Sequence, residues 1–242
     1  IYEIPQCIRI DDYDEIEANL YKDLQCIFGS LVNDRIVKSL DLSKYFLGTA
    51  NVKAQDCSIL KSFCPTLFNL KDDQRCIHID IGPGLGANSL YSLQYLKSRY
   101  IAWEAFPASY QVQRDFFGAV AIKKNLAFND WILAESHGLS KENLSFDSTE
   151  VADLSLIPSW NIGGLNVGCA DLITATWVLN ELTVSGIHWI MFHANRLLKT
   201  GGYFYIRDSK LNKPGRHQVN YDEHLTKLGF QQLFYGQMPM LV

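Results

Sequence analysis

The stretch Ile79-Asp80-Ile81-Gly82-Pro83-Gly84-Leu85-Gly86-Ala87-Asn88 decides the fold. A run of β-branched residues beginning at Cys76 stops abruptly at three glycines spaced two apart. Leu90, Leu93 and Leu96 then recur at the spacing of one helix face. Glycines at a strand-to-helix turn let a ligand approach the backbone closely, and the helix start that follows offers amides to it. Tyr100-Ile101-Ala102-Trp103 forms the next apolar run and ends at Glu104. An acid at that place, about twenty residues after the loop, is positioned to accept the two hydroxyls of a ribose. Pro107 opens a helix expected to run through Phe117.

The alternation continues toward the C-terminus. Asp171 to Trp177 has a strand pattern, Ile187 to Leu198 a helical one, and Lys199-Thr200-Gly201-Gly202 is expected to close that helix. Tyr203 to Arg207 is a further strand, Leu225 to Leu228 a helix ending at Gly229, and Phe230 to Tyr235 a late strand. Between 118 and 165 the pattern is weak, and Val120-Ala121-Ile122 and Leu144-Ser145-Phe146 stand as alternatives for the third strand. Strands alternating with helices predict an α/β fold with a mostly parallel sheet covered on both faces. Residues 1–75 read differently, as a helical N-terminal cover. Ile16, Leu20, Leu24, Ile27, Leu31, Ile36 and Leu40 keep helical spacing, with breaks expected at Gly29-Ser30 and Asn33-Asp34. Pro65 precludes one clean helix over 59–70, and the polar stretch 51–56 reads as exposed.

Composition narrows the function classes. Of 242 residues, 48% are apolar and 20% charged, which excludes a disordered chain. Lys and Arg number 22 against 26 Asp and Glu, giving −4 with no basic block, so nucleic-acid backbone binding has no support. No apolar run approaches the ~18 residues of a membrane-spanning helix. Six scattered cysteines show neither a CxxC pair nor zinc spacing. Buried thiols in a reducing, cytoplasmic setting are the expectation, with no metal. The chain begins at Ile1 without methionine or signal peptide, which suggests a piece of something longer.

Taken together, Asp80, Gly82, Gly84, Gly86, Glu104, Asp171 to Leu182 and Leu197 to Tyr205 resemble a class I S-adenosylmethionine-dependent methyltransferase over about 75–235. The resemblance implies a Rossmann-like, seven-stranded sheet whose last strand runs antiparallel, here near Pro239 to Val242. It makes 76–242 the cofactor domain. S-adenosyl-L-methionine is then the cofactor, held by Asp80, Gly82, Pro83, Gly84, Gly86, Asn88, Glu104, Ala105, Thr176 and Trp177. The adenine contact falls on Asp147, with Asp130 and Asp153 as alternatives, because 118–165 is longer than the family's usual spacing. A nicotinamide dehydrogenase competes, since Gly82-x-Gly84-x-x-Ala87 also fits a dinucleotide fingerprint. Against it stand Asp80 inside the strand, where such folds place an apolar residue, and the turn at 199–202.

The acceptor determines the remaining chemistry. Thr176 to Leu182 contains neither Asn-Pro-Pro-Tyr nor Pro-Cys, which argues against base or amide nitrogens and cytosine carbon. A hydroxyl of a small molecule or glycan remains, and it requires a general base or a metal to lose its proton. Glu181, Asp208 and His217 follow strands four and five, the ligand side of such sheets, although a cap, a turn residue and a solvated histidine are the plain alternatives. His78, His188 and His193 read as packing residues. The segments 100–117, with Gln111 and Gln113, 170–182 and 202–205 are similar to sugar O-methyltransferases of bacterial surface glycan pathways, in which an acid after strand four would be Glu181. Pro83 and Glu104 depart from that pattern. The strand-four segment also resembles methyltransferase-like ribosome assembly factors, so a cofactor-binding interaction module, protein- or RNA-associated, is the alternative.

Overall fold

The computed structural model describes residues 13–31, 42–71, 73–132, 152–208 and 221–233. Helix α1 (Tyr13–Leu31) continues through Gly29-Ser30. The break expected there does not occur, because Ile16, Leu20, Leu24 and Ile27 keep one buried stripe that holds the helix to the core. Helix α2 (Leu42–Phe63) stops before Pro65, which opens the single turn α3 (Pro65–Phe68), as the proline requires.

Then comes the alternating part: β1 (Ile77–Ile81), α4 (Asn88–Tyr95), β2 (Arg99–Glu104), α5 (Pro107–Lys124) and β3 (Phe128–Asp130). After these follow β4 (Leu154–Pro158), a 3-10 turn (Ser159–Gly164) and β5 (Ala170–Thr176). A 3-10 turn (Leu179–Glu181), α6 (Val184–Leu197), β6 (Leu198–Arg207) and α7 (Tyr221–Lys227) complete the described order.

Six strands form one sheet in the order β3-β4-β2-β1-β5-β6, with every pairing parallel. Helices α1, α2, α4 and α5 cover one face and α6 the other. β1 is buried at all five positions, as a central strand covered on both faces must be. The expected seventh strand at 239–242 lies outside the described residues. No strand forms at 230–233, and 234–235 lie outside the description.

Several expectations fail for identifiable reasons. Val120 to Ile122 belong to α5, which runs seven residues past Phe117 and ends at Asn125 in the left-handed region. Leu144 to Phe146 lie outside the described residues. The weak middle instead contributes two strands, β3 and β4, whose residues Phe128-Asn129-Asp130 and Leu154 to Pro158 are too few to show a period. Residues 199–202 do not cap α6. They loop out between Leu198, paired with Ala170, and Tyr203, paired with Leu172, with Gly201 at φ 80°.

The N-terminal helices share a core with the sheet. Ile16, Leu20, Ala54 and Leu60 belong to the same buried cluster as Tyr100, Leu154 and Leu172. Nor is the stretch 51–56 exposed. Asp56 is fully buried and its Oδ1 accepts hydrogen bonds from the Tyr205 hydroxyl and from Arg207 Nη1, each at 2.8 Å. Arg207 also donates to the Val52 carbonyl and to Gln55 Oε1, so α2 is bolted to the C-terminal end of β6. Removing one partner of a buried ion pair leaves the other charge without compensation. Asp56→Ala should therefore destabilise the fold by about 3–5 kcal/mol and Asp56→Asn by less. Urea unfolding checks this, and a loss below about 0.5 kcal/mol for both variants would show that the pair does not hold α2 in place.

Candidate functional site

In the sheet order, the chain moves from β1 to β2 on one side and later to β5 on the other, so the switch point lies between β1 and β5. Ligands of open α/β sheets bind outside the carboxyl ends of the strands at such a point. The glycine loop caps β1 there and Trp177 follows β5 there. Gly82, Gly84 and Gly86 all have positive φ, at 58°, 61° and 87°. A Cβ on Gly82 would stand 2.6 Å from the Val178 side chain, and one on Gly86 2.7 Å from the Phe117 ring. These two are needed for packing. A Cβ on Gly84 would meet nothing within 4 Å, so the middle of the loop faces open space. Pro83 contributes its carbonyl, which accepts the Gly86 amide at 2.9 Å.

Beneath the loop, Asp80 has no solvent exposure. Its Oδ2 accepts from Asn88 Nδ2 at 2.7 Å and the Tyr100 hydroxyl at 2.5 Å, and its Oδ1 from the Thr174 hydroxyl at 2.6 Å. Asp80 and Asn88 therefore shape the loop from below. Burial raises the Asp80 pKa, while the hydrogen bonds from Thr174 and Tyr100, together with the Lys53 charge and the bond from Asn88, oppose the rise. The network extends to His78, whose Nε2 is 2.8 Å from Thr174 Oγ1 and whose Nδ1 is 2.6 Å from Ser92 Oγ. The Thr174 hydroxyl gives its one proton to Asp80, so it must accept from Nε2–H. Neutral His78 then accepts from Ser92 at Nδ1. His78 is structural, as its place in a central strand implies.

Glu104 ends β2 in near-complete burial. Its Oε1 accepts the amides of Ala105 and Phe106, both at 2.8 Å, and its Oε2 accepts Gln113 Nε2 at 2.7 Å. A carboxylate has about four acceptor places, so three are used and one remains. Gln113 Nε2 also donates to the Gly84 carbonyl at 2.7 Å, joining the glycine loop to Glu104. Both groups facing that nitrogen are acceptors, which fixes the amide orientation and leaves the fully buried Gln113 Oε1 without a partner. Glu104 thus keeps one acceptor place, whereas Gln113 Oε1 is enclosed by the protein. Gln113 was missed as a site residue. Its signal was a lone amide on the stripe Tyr110, Gln113, Phe117 and Val120, otherwise buried and apolar apart from the Tyr110 hydroxyl.

The remaining candidates separate by position. Asp208 accepts from both the backbone amide (2.8 Å) and the side chain of Asn180, so it ties down the 177–182 loop. Glu181 is exposed at the end of the 3-10 turn in that loop. Thr176 is buried at the level of Arg207. Asp153 pairs with Arg75 and accepts the Ala127 amide at the start of β4, the end of the sheet opposite the glycine loop. Asp130, at the loop end of β3, is engaged by Arg114, the Tyr110 hydroxyl (2.8 Å) and the Ile132 amide (3.0 Å). Asp147 and His217 lie outside the described residues. His193 packs against Trp103 and Trp189, and His188 stacks on His224 with ring centroids 4.2 Å apart. Among the described residues no three His, Cys, Asp or Glu gather as metal ligands, and no helix is long and apolar enough to cross a membrane.

No protein-family model matches the chain, and no curated protein does. Many solved structures do, several of them methyltransferases by name. A precorrin-6y C5,15-methyltransferase from Geobacter metallireducens is 14% identical over 72% of each chain, with a TM-score of 0.44. An arsenic(III) S-adenosylmethionine methyltransferase from Chlamydomonas reinhardtii is 16% identical over 64% of this chain and 51% of its own, with a TM-score of 0.44. A PKMT2 from Rickettsia typhi in complex with AdoHcy is 17% identical over 61% of this chain and 24% of its own, with a TM-score of 0.38. The chain spans about half the length of several structures it matches.

The buried network has a consequence for acid stability. Burial lowers His78 from 6.5 to about 3. Between those values the unfolded chain binds a proton that the folded chain excludes. Stability from this group is therefore complete above about pH 6.5 and falls as pH drops toward 3, by up to about 1.4 kcal/mol per pH unit. Asp80, raised by burial, has the opposite slope above 3.8. Comparing parent with His78→Asn by urea unfolding from pH 7.5 to 4 isolates the histidine. The variant should lose stability less steeply with acid, and equal slopes would contradict a buried neutral His78.

Proposed function

We propose that this chain is an S-adenosylmethionine-dependent methyltransferase whose acceptor is a hydroxyl of a small molecule or sugar. One observation carries the reading. Gln113 joins the glycine loop to Glu104 at the switch point, and the loop's central residue, Gly84, borders open space. Glu104, positioned by Gln113, would hold the ribose hydroxyls. Gly82, Pro83, Gly84 and Gly86 would pass beneath the methionine end, with Thr176 beside it and Ala105 near the ribose. Asp80 and Asn88 act through the loop's shape. The adenine contact remains with Asp147, or with Asp130 if its ion pair rearranges.

When bound, S-adenosylmethionine supplies an electrophilic methyl on a sulfonium sulfur, which keeps the carbon–sulfur electron pair as a hydroxyl oxygen bonds to the carbon and gives up its proton to a base. Positioning accounts for much of the rate in such a displacement. Glu181 and His217 are the proposed bases. Asp208 serves better as the anchor of the loop that presents Glu181. A seventh strand at 239–242, a cofactor domain at 76–242 and a cytoplasmic location belong to the same proposal. A non-catalytic cofactor-binding module is the second reading, favoured by the exposure of Glu181 and the engagement of Asp208. Transfer of a labelled methyl group to any hydroxyl acceptor supports the enzyme, whereas cofactor binding without transfer supports the module.

Calorimetry with S-adenosylhomocysteine tests the ribose site directly. Glu104→Ala should weaken binding by about 1.5–3 kcal/mol, the range for hydrogen bonds to a charged group, and Gln113→Leu by about 0.5–1.5 kcal/mol. Unchanged affinity in both variants would remove these residues from the site.

A further inference from the structure

We infer that Trp177 is the stacking platform for the methyl acceptor, and that it selects neutral acceptors with a flat ring face, such as a pyranose or a phenol. This rests on the methyl-transfer reading and adds the acceptor to it. Trp177 stands at the carboxyl end of β5, across the switch-point crevice from the glycine loop. Its next residue, Val178, packs onto Gly82. An aromatic ending a buried strand ordinarily turns into the core, as Ala175 and Leu179 do on either side of it. Trp177 remains 46% exposed instead.

Its backbone explains how. Trp177 has a φ of 64°, in the left-handed region that a bulky side chain rarely adopts. Such conformations persist only where neighbouring contacts impose them, and they concentrate at functional sites. Here Arg207 imposes it twice. The Trp177 amide donates to the Arg207 carbonyl at 2.7 Å, and the guanidinium lies 5.8 Å from the centroid of the Trp177 ring. Arg207 is itself fixed by Val52, Gln55 and the fully buried Asp56 of α2. Helix α2, through Arg207, therefore orients an aromatic surface at the mouth of the crevice.

Charge narrows the ligand class. The cation against the ring is already paired with the fully buried Asp56 at 2.8 Å, and it also donates to the Val52 carbonyl and to Gln55 Oε1. The platform thus offers an acceptor the apolar face of an indole and no unspent charge for a phosphate or carboxylate. A sugar ring's C–H face and an aromatic ring are the two sources of that complementary surface.

The test uses the full chain saturated with S-adenosylhomocysteine, as parent, Trp177→Ala and Trp177→Phe. Methyl α-glucopyranoside, methyl α-rhamnopyranoside, catechol and glucose 6-phosphate are titrated while tryptophan fluorescence and heat are recorded. At least one neutral ring should bind the parent, more tightly than the phosphate does. The alanine variant should bind it about tenfold more weakly, as loss of aromatic stacking produces elsewhere. The phenylalanine variant should retain most of the affinity, and all three should bind S-adenosylhomocysteine alike. The pyranosides and catechol distinguish the two sources. Equal ring affinity in the alanine variant, tighter binding of the phosphate, or no ring binding to the loaded parent overturns the platform alone. Loss of S-adenosylhomocysteine binding in the alanine variant, with the phenylalanine variant folded, reassigns Trp177 to the cofactor. A parent that does not bind S-adenosylhomocysteine overturns the methyl-transfer reading, and the platform with it.

Discussion

A carboxylate with no access to water, Asp80, collects hydrogen bonds from three separate elements: Tyr100 of β2, Thr174 of β5 and Asn88 at the start of α4. A buried charge is tolerated only where such partners compensate its lost hydration. Satisfying Asp80 therefore sets the spacing of the three central strands and the direction in which the chain leaves β1. The glycine loop follows from that constraint. Gly82 and Gly86 have no side chains because Val178 and Phe117 occupy the space, and Gly84 is left at the open centre. His78 extends the network one strand position lower, so the polar interior runs along a single face of β1 beneath the candidate site.

A buried ion pair does for Trp177 what these neutral donors to Asp80 do for the loop. Asp56 of α2 holds Arg207 at the end of β6, and Arg207 holds Trp177 at the end of β5. A helix more than a hundred residues away in sequence thereby helps to position Trp177. The N-terminal helices complete a core they share with the sheet, and removing them would delete Ile16, Leu20, Leu24 and Ile27 and expose the part of that core they cover.

Legibility followed the strength of the local signal. β1, β2, β5 and β6 were readable because buried parallel strands are continuous apolar runs bounded by glycine or charge, and α6 because its stripe is regular. β3 and β4 were not, since three and five residues carry no period, and the pairing of β4 with β2 and of β3 with β4 depends on distant contacts. In the site, the glycines and Glu104 were legible from spacing. Gln113 showed only as a lone amide on a buried helix stripe, and its link became legible once the helix was laid beside Gly84 and Glu104. The stretch 51–56 was misjudged for the converse reason: its polar residues are buried by partners some 150 positions along the chain.

The sequence by itself determined the alternation of strands and helices, the glycine turn after the first strand, the acid ending the second, and the lack of a basic block or of an apolar run long enough for a membrane-crossing helix. Those features are short-range, and each rests on the conformational freedom of glycine, the period of apolar residues or the count of charges. Tertiary structure decided which polar groups are spent on the protein and which stay available. It used both oxygens of Asp208 on Asn180, left one acceptor place on Glu104, enclosed the Gln113 carbonyl oxygen, and turned Trp177 outward over Arg207. Hydrogen bonds saturate, and whether a donor arrives depends on residues far away in sequence. For that reason the residue types named a site, while only the packed chain determined what each could hold.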